Sequence, residues 1–216
     1  MSIKQIAVML MTVVAAAMLA GCADVPSTGP EVPDFKAEYR FVHAAGDLGS
    51  VEISVDGVAQ GTVDFTGNLS YKEFPAGNRE VALSSGENQP ISMPTNQRGT
   101  IVVLPSIDGA AHELLRFNER RIFDAPPVGF RLINVNPQLT ASLVVSAGAD
   151  TVVNTTLGYK GVSGFHKVAA GSYALVVKNA EADTVMATSV LSVATSHTSL
   201  IMGNASTVVV TNLEDK

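Results

Sequence analysis

From Val51 to Val55 the chain alternates apolar and polar side chains: Val51, Ile53 and Val55 against Glu52 and Ser54. A period of two puts each set on one face of an extended backbone, so this stretch predicts a half-buried β-strand. Asp56-Gly57 follows at once, and such a pair suits a tight hairpin because glycine accepts positive φ. Short apolar runs bounded by turn residues predict further strands at Ser70–Phe74, Arg79–Ser84, Thr100–Leu104 and about Glu113–Asn118, with Pro75-Ala76-Gly77 as the turn between two of them. The stretch His112–Phe123 is ambiguous by itself, since Leu114, Leu115, Arg116 and Glu119 are good helix formers.

Repetition decides in favour of a strand there. After Asp124-Ala125-Pro126-Pro127 the pattern begins again: Tyr39-Arg40-Phe41-Val42-His43 is echoed by Phe130-Arg131-Leu132-Ile133-Asn134, and Asp56-Gly57 by Ala147-Gly148, both at an offset of 91. The turn Phe74-Pro75-Ala76-Gly77 is echoed by Val168-Ala169-Ala170-Gly171 at an offset of 94, so the second copy has gained three residues in between. Ile101–Leu104 matches Ser199–Met202, and Val208–Asn212 takes the place of Leu114–Asn118. Two copies of about 90 residues, each with some seven short strands, predict an all-β chain of two tandem immunoglobulin-like β-sandwich domains, residues 38–125 and 128–216. One large β-structure built jointly by both copies is the alternative. Pro126-Pro127 predicts a short, stiff joint between the copies.

Arg40-Phe41-Val42-His43-Ala44, then Val51-Glu52-Ile53-Ser54-Val55-Asp56-Gly57, then Phe74-Pro75-Ala76-Gly77 resembles the domain-of-unknown-function family 4397. Members show V-H-A-S-P-D-A-P, then V-D-V-Y-V-D-G, then a P-A-G turn. The resemblance spans residues 39 to about 213 as two copies, the first the better match. It implies tandem immunoglobulin-like domains on envelope or secreted bacterial proteins and brings no catalytic residues. The chain departs from the family at Ala45-Gly46-Asp47-Leu48, where members have S-P-D-A-P.

Ahead of the strands lies a different pattern. Lys4 precedes fifteen mostly apolar residues, Ile6 to Ala20, closed by Gly21-Cys22. A positive start, an apolar middle and small residues at the end are the layout of a secretory signal. A membrane-spanning helix wants about 20 apolar residues, and the small pair before the cysteine argues for cleavage instead. Leu19-Ala20-Gly21-Cys22 resembles the lipobox of bacterial lipoproteins. That resemblance implies cleavage between Gly21 and Cys22, acylation of Cys22 and membrane attachment through it; with Ala23 next, it implies the outer membrane, with the periplasmic or surface face left open. Residues 22–37 contain Pro26, Pro30 and Pro33 and predict a flexible tether.

Charge narrows the partners. Without residues 1–21 the chain has 13 basic against 20 acidic side chains. That balance argues against nucleic acid, which calls for a basic face. Cys22 is the single cysteine, so thiolate metal sites and internal disulfides are excluded. His43, His112, His166 and His197 lie far apart in sequence, in no metal-ligand spacing. His43 ends a strand near Asp47, where acid–base or metal chemistry is conceivable and a structural hydrogen bond is the ordinary role. No G-x-S-x-G turn is present. The turn aspartates Asp47, Asp56, Asp64, Asp108 and Asp150 form no calcium-loop motif. With no tryptophan in the chain, Tyr159, beside Gly158 and Gly161 in the region that gained residues, is the best exposed aromatic for a sugar. These readings predict no cofactor and no catalytic residue. They predict a non-enzymatic envelope protein, a binding or structural module for a protein or surface polymer such as a polysaccharide, with His43, Asp47 and Tyr159 as ligand-loop candidates. A periplasmic hydrolase or metal-dependent enzyme, and a carbohydrate-binding module, are the alternatives.

Overall fold

The computed structural model describes residues 35–125, 127–204 and 206–215. The signal segment and most of the tether, including Gly21 and Cys22, lie outside the described residues. The described chain is strand and loop without helix. The first copy contains β1 (Lys36–His43), β2 (Val51–Val55), β3 (Val58–Val63), β4 (Lys72–Pro75), β5 (Gly77–Leu83), β6 (Asn88–Met93), β7 (Gln97–Val103) and β8 (Leu114–Arg121). The second contains β9 (Gly129–Asn134), β10 (Ala141–Ala147), β11 (Asp150–Leu157), β12 (Gly161–Val162), β13 (His166–Lys167), β14 (Gly171–Asn179), β15 (Thr184–Val193), β16 (Ser196–Gly203) and β17 (Val208–Asp215). The fold is thus all-β in two sandwiches. β1 starts at Lys36, and Ala37 is fully buried, so these two residues belong to the first sandwich and not to the tether. The ambiguous segment is a strand: β8 pairs antiparallel with β7, Ile101 opposite Arg116.

The sheets repeat. In the first half they are ordered β4-β1-β7-β8 and β3-β2-β5-β6; in the second, β12-β9-β16-β17 (with β13 also on β9) and β11-β10-β14-β15. Each half carries one parallel pair, β1 with β7 and β9 with β16, within an otherwise antiparallel sandwich. The hairpin at Asp56-Gly57 forms with positive φ at both residues, 50° and 78°, the geometry a two-residue turn requires. Its counterpart differs in length. Val51 pairs with Val63 whereas Ala141 pairs with Leu157, so the second hairpin is four residues longer, and the loop before it is one shorter. The three gained residues therefore sit in the β10–β11 hairpin, not beside Tyr159.

Three apolar layers hold four sheets. One core lies inside the first sandwich, around Phe41, Ile53, Val81, Met93 and Ile101. A second lies inside the other, around Leu132, Leu143, Leu175 and Leu191. The third joins the sandwiches back to back: Val42, Val102, Leu104 and Phe117 from one half meet Ile133, Val135, Leu200, Met202 and Leu213 from the other. β1, β7, β9 and β16 are consequently buried on both faces. At about 1.5–3 kcal/mol for each fully buried aliphatic side chain, this third layer binds the halves far more firmly than a stiff joint could.

The same junction buries a charge network. Arg40 on β1 donates from Nη2 to Glu119 (2.9 Å) and to Asp215, from Nε to Thr100 Oγ1 (2.7 Å), and from Nη1 to the Glu214 carbonyl (2.7 Å). All three charged side chains are at most 3% exposed. Ser196 and Thr198 donate to the other oxygen of Asp215, at 2.9 and 3.1 Å. Arg131, the counterpart of Arg40, reaches back to the Asn118 carbonyl at 2.8 Å. The contact is reciprocal, each half's arginine gripping the other half's final strand.

Candidate functional site

At one end of the stack the loops after β1, β3, β7, β9, β11 and β16 come together, and the three ligand-loop candidates all fall there. His43 is fully buried beneath these loops. Its Nε2 lies 2.9 Å from the Gly49 carbonyl, and its Nδ1 accepts from the Ala45 amide at 3.3 Å, which places the proton on Nε2. Asn134 occupies the matching place in the second copy. Its Oδ1 accepts from the Asn136 amide (3.0 Å), and its Nδ2 donates to the Leu139 carbonyl (2.6 Å). An amide doing what the imidazole does means that the task is loop closure, not proton transfer.

Asp47 lies above it, held by His112. One Asp47 oxygen lies 2.9 Å from His112 Nε2 and accepts from the Ser106 amide at 3.2 Å; His112 Nδ1 lies 2.6 Å from Glu87. Two carboxylates on one imidazole require both ring nitrogens to donate, hence the charged form. Burial opposes that charge, but the bonds to Glu87 and Asp47 outweigh it and hold the His112 pKa above its ordinary value. Glu87, beside the Ser85 hydroxyl and His112, is lowered to about 2 in spite of some desolvation. The clasp ties three loops of the first half together. His43 and His112 therefore do not meet in one concave site, and among the described residues no cluster of three His, Cys, Asp or Glu is arranged to hold a metal.

Beside the clasp opens a cleft of about 380 Å³ between the loops of the two halves. Asp47, Phe65, Pro105 and Ser106 line it from the first; Pro137, Gln138, Asn204 and Thr207 from the second. Its walls are stiff. Asn136 Nδ2 donates to the Asn204 carbonyl (3.0 Å), and Asn204 Oδ1 accepts from the Ser206 and Thr207 amides, both at 2.9 Å. Gly203 has φ of 108°, and a Cβ there would meet the Thr207 carbonyl oxygen at 2.0 Å, so only glycine allows the pinched loop. Pro137 and Gln138 form a ridge shared with a second cleft of about 340 Å³, lined on its far side by Tyr159, Thr140, Asn179 and Glu181.

Asp47 and Tyr159 thus stand on the two sides of one ridge, while His43 lies below and outside both clefts. Of the other lining residues, none singled out by the sequence, the repeat encodes two: Gln138 is Asp47 displaced by 91, and Phe65 is Tyr159 displaced by 94. Phe65 and Tyr159 both pack against the third core. Lys160 Nζ sits 5.2 Å from the Tyr159 ring centre and pairs with Glu113 at 2.5 Å, linking the halves again. Burial, with the Glu113 charge nearby, raises the Tyr159 pKa, so its hydroxyl stays protonated and can donate.

No protein-family model matches the chain, and no curated protein matches it. Among solved structures it is similar to the N-terminal domain of AlgF from P. aeruginosa, at 21% identity and a TM-score of 0.30, over 40% of this chain and 98% of that one.

Proposed function

We propose that the protein is a non-enzymatic, lipid-anchored module of the bacterial cell envelope. In this reading Cys22 holds it in the outer membrane, residues 22–35 act as a spacer, and the loop end of the paired sandwiches engages a protein or a surface polymer. One observation carries the binding part: loops from both halves, built on rigid strands, converge on a ridge with a cleft on either side. Binding groups concentrate on loops held by a stiff scaffold, and concave sites favour such junctions. The signal layout and the resemblance to lipobox proteins and to the domain-of-unknown-function family 4397 support the location. Cys22→Ser tests the anchor. The expected result is loss of labelled-palmitate incorporation and release from the membrane fraction; an unlabelled wild type, or full retention of the variant, refutes it.

A further inference from the structure

Building on that binding reading, we propose that the two clefts form one glycan site, taking an extended, uncharged oligosaccharide that crosses the Pro137–Gln138 ridge from the Asp47 side to Tyr159.

Size comes first. Each cleft, at about 380 and 340 Å³, lies at the lower end of the ~300–1,000 Å³ usual for small-molecule sites. Either alone holds a short piece of ligand, and both share the ridge, so the natural occupant is a chain lying over it. The lining chemistry suits sugar rings. Phe65, Pro137 and Tyr159 are spaced along the path as separate apolar steps, which match the C–H faces of pyranose rings better than one deep anchor pocket would. Gln138, Thr207 and Thr140 line the same clefts, and the two threonine hydroxyls can both donate and accept, as vicinal hydroxyls require. The Oδ1 atoms of Asn179 and Asn204 already close their own turns, which leaves their amide NH₂ groups to offer.

Charge selects the neutral class. Among the described lining residues there is no lysine or arginine, while Asp47 and Glu181 are acidic, and Lys160, against the Tyr159 ring, is already paired with Glu113, so a polyanion finds no unpaired counter-charge and is repelled. Asp47 is itself compensated by His112 and the Ser106 amide, so a polycation gains little there. A peptide bound by strand addition needs an open row of backbone groups, and the clefts are walled by loops and strand ends. The pinned walls mean that little ordering is required on binding, which favours a weakly held, flexible polymer.

The test uses the full lipidated chain in detergent micelles. The probes are hexamers of β-1,4-linked glucose and N-acetylglucosamine, a uronic-acid hexamer and a lysine-rich peptide, titrated by calorimetry. At least one neutral hexamer is expected to bind, with Thr140→Ala and Thr207→Trp each weakening it about tenfold at an unchanged melting temperature. Tyr159→Leu, which keeps the packing against the third core, is expected to weaken it as well. Failure of both neutral hexamers to bind overturns the proposal, as does tighter binding of the uronate or the peptide with the same residue dependence. A photo-crosslinker at position 138 in intact cells then separates the two failures: a captured macromolecule leaves the binding reading standing with another ligand, and no capture removes it too.

Discussion

At position 43 a histidine, and at position 134 an asparagine, accept the amide two residues on and hold a carbonyl further along the same loop. The role is set by geometry and hydrogen-bond polarity. His43→Leu strands a buried amide and a carbonyl, and should lower the unfolding free energy by about 1–3 kcal/mol. His43→Asn should lose distinctly less, as urea titration would show; equal losses would mean the ring matters for its bulk. Single residues also set a pH window. Glu87, lowered to about 2, contributes stability above its ordinary value of 4.5 and loses it as the pH falls. His112, raised, contributes fully below its ordinary 6.5 and loses it as the pH rises through the shifted value. The clasp is therefore strongest between those two ordinary values. The melting-temperature advantage of wild type over His112→Gln should peak there and shrink on both sides; a pH-independent difference would contradict a charged clasp.

At the scale of elements, two kinds of strand differ in how openly they announce themselves. β2 alternates and buries only Val51, Ile53 and Val55, so its pattern names both its period and its inner face. β7 and β16 carry unbroken runs, Ile101–Val103 and Leu200–Met202, because both faces are covered. A continuous run tells that something lies on each side, not what, so the third core was not legible although every residue in it is plainly apolar. The charge network was hidden for a related reason. Arg40 and Asp215 are 175 residues apart, and no local spacing links them. Their pairing gives β1 and β17 an energetic tie that can be measured. Asp215→Ala leaves a buried guanidinium short of one partner and should cost about 3–5 kcal/mol. Replacing the set by apolar residues (Arg40→Met, Glu119→Leu, Asp215→Leu) should recover most of that loss. A triple variant no more stable than the single one would show that the network contributes beyond mutual neutralisation.

For the whole molecule, duplication makes a partner for itself. Each half offers the other the same sheet, the same arginine and the same loop end, much as two identical subunits do across an isologous interface. Residues 35–125 alone would expose Val42, Val102, Leu104 and Phe117. That fragment should therefore self-associate in light scattering, whereas the complete protein should unfold in one cooperative step; a monodisperse monomeric fragment would argue against the third core as a stabilising layer. The cleft beside the His112 clasp belongs to this scale too, for neither half has both of its walls. The long reach from Arg40 to Asp215 also bears on the order in which the junction can close. A chain synthesised amino end first brings out the cation long before the second of its two carboxylates. Until Asp215 arrives, Arg40 has Glu119 as its single carboxylate, and the donors left over stay hydrated and resist early sealing. Final closure waits on β17, so the junction seals only once nearly the whole polypeptide is available.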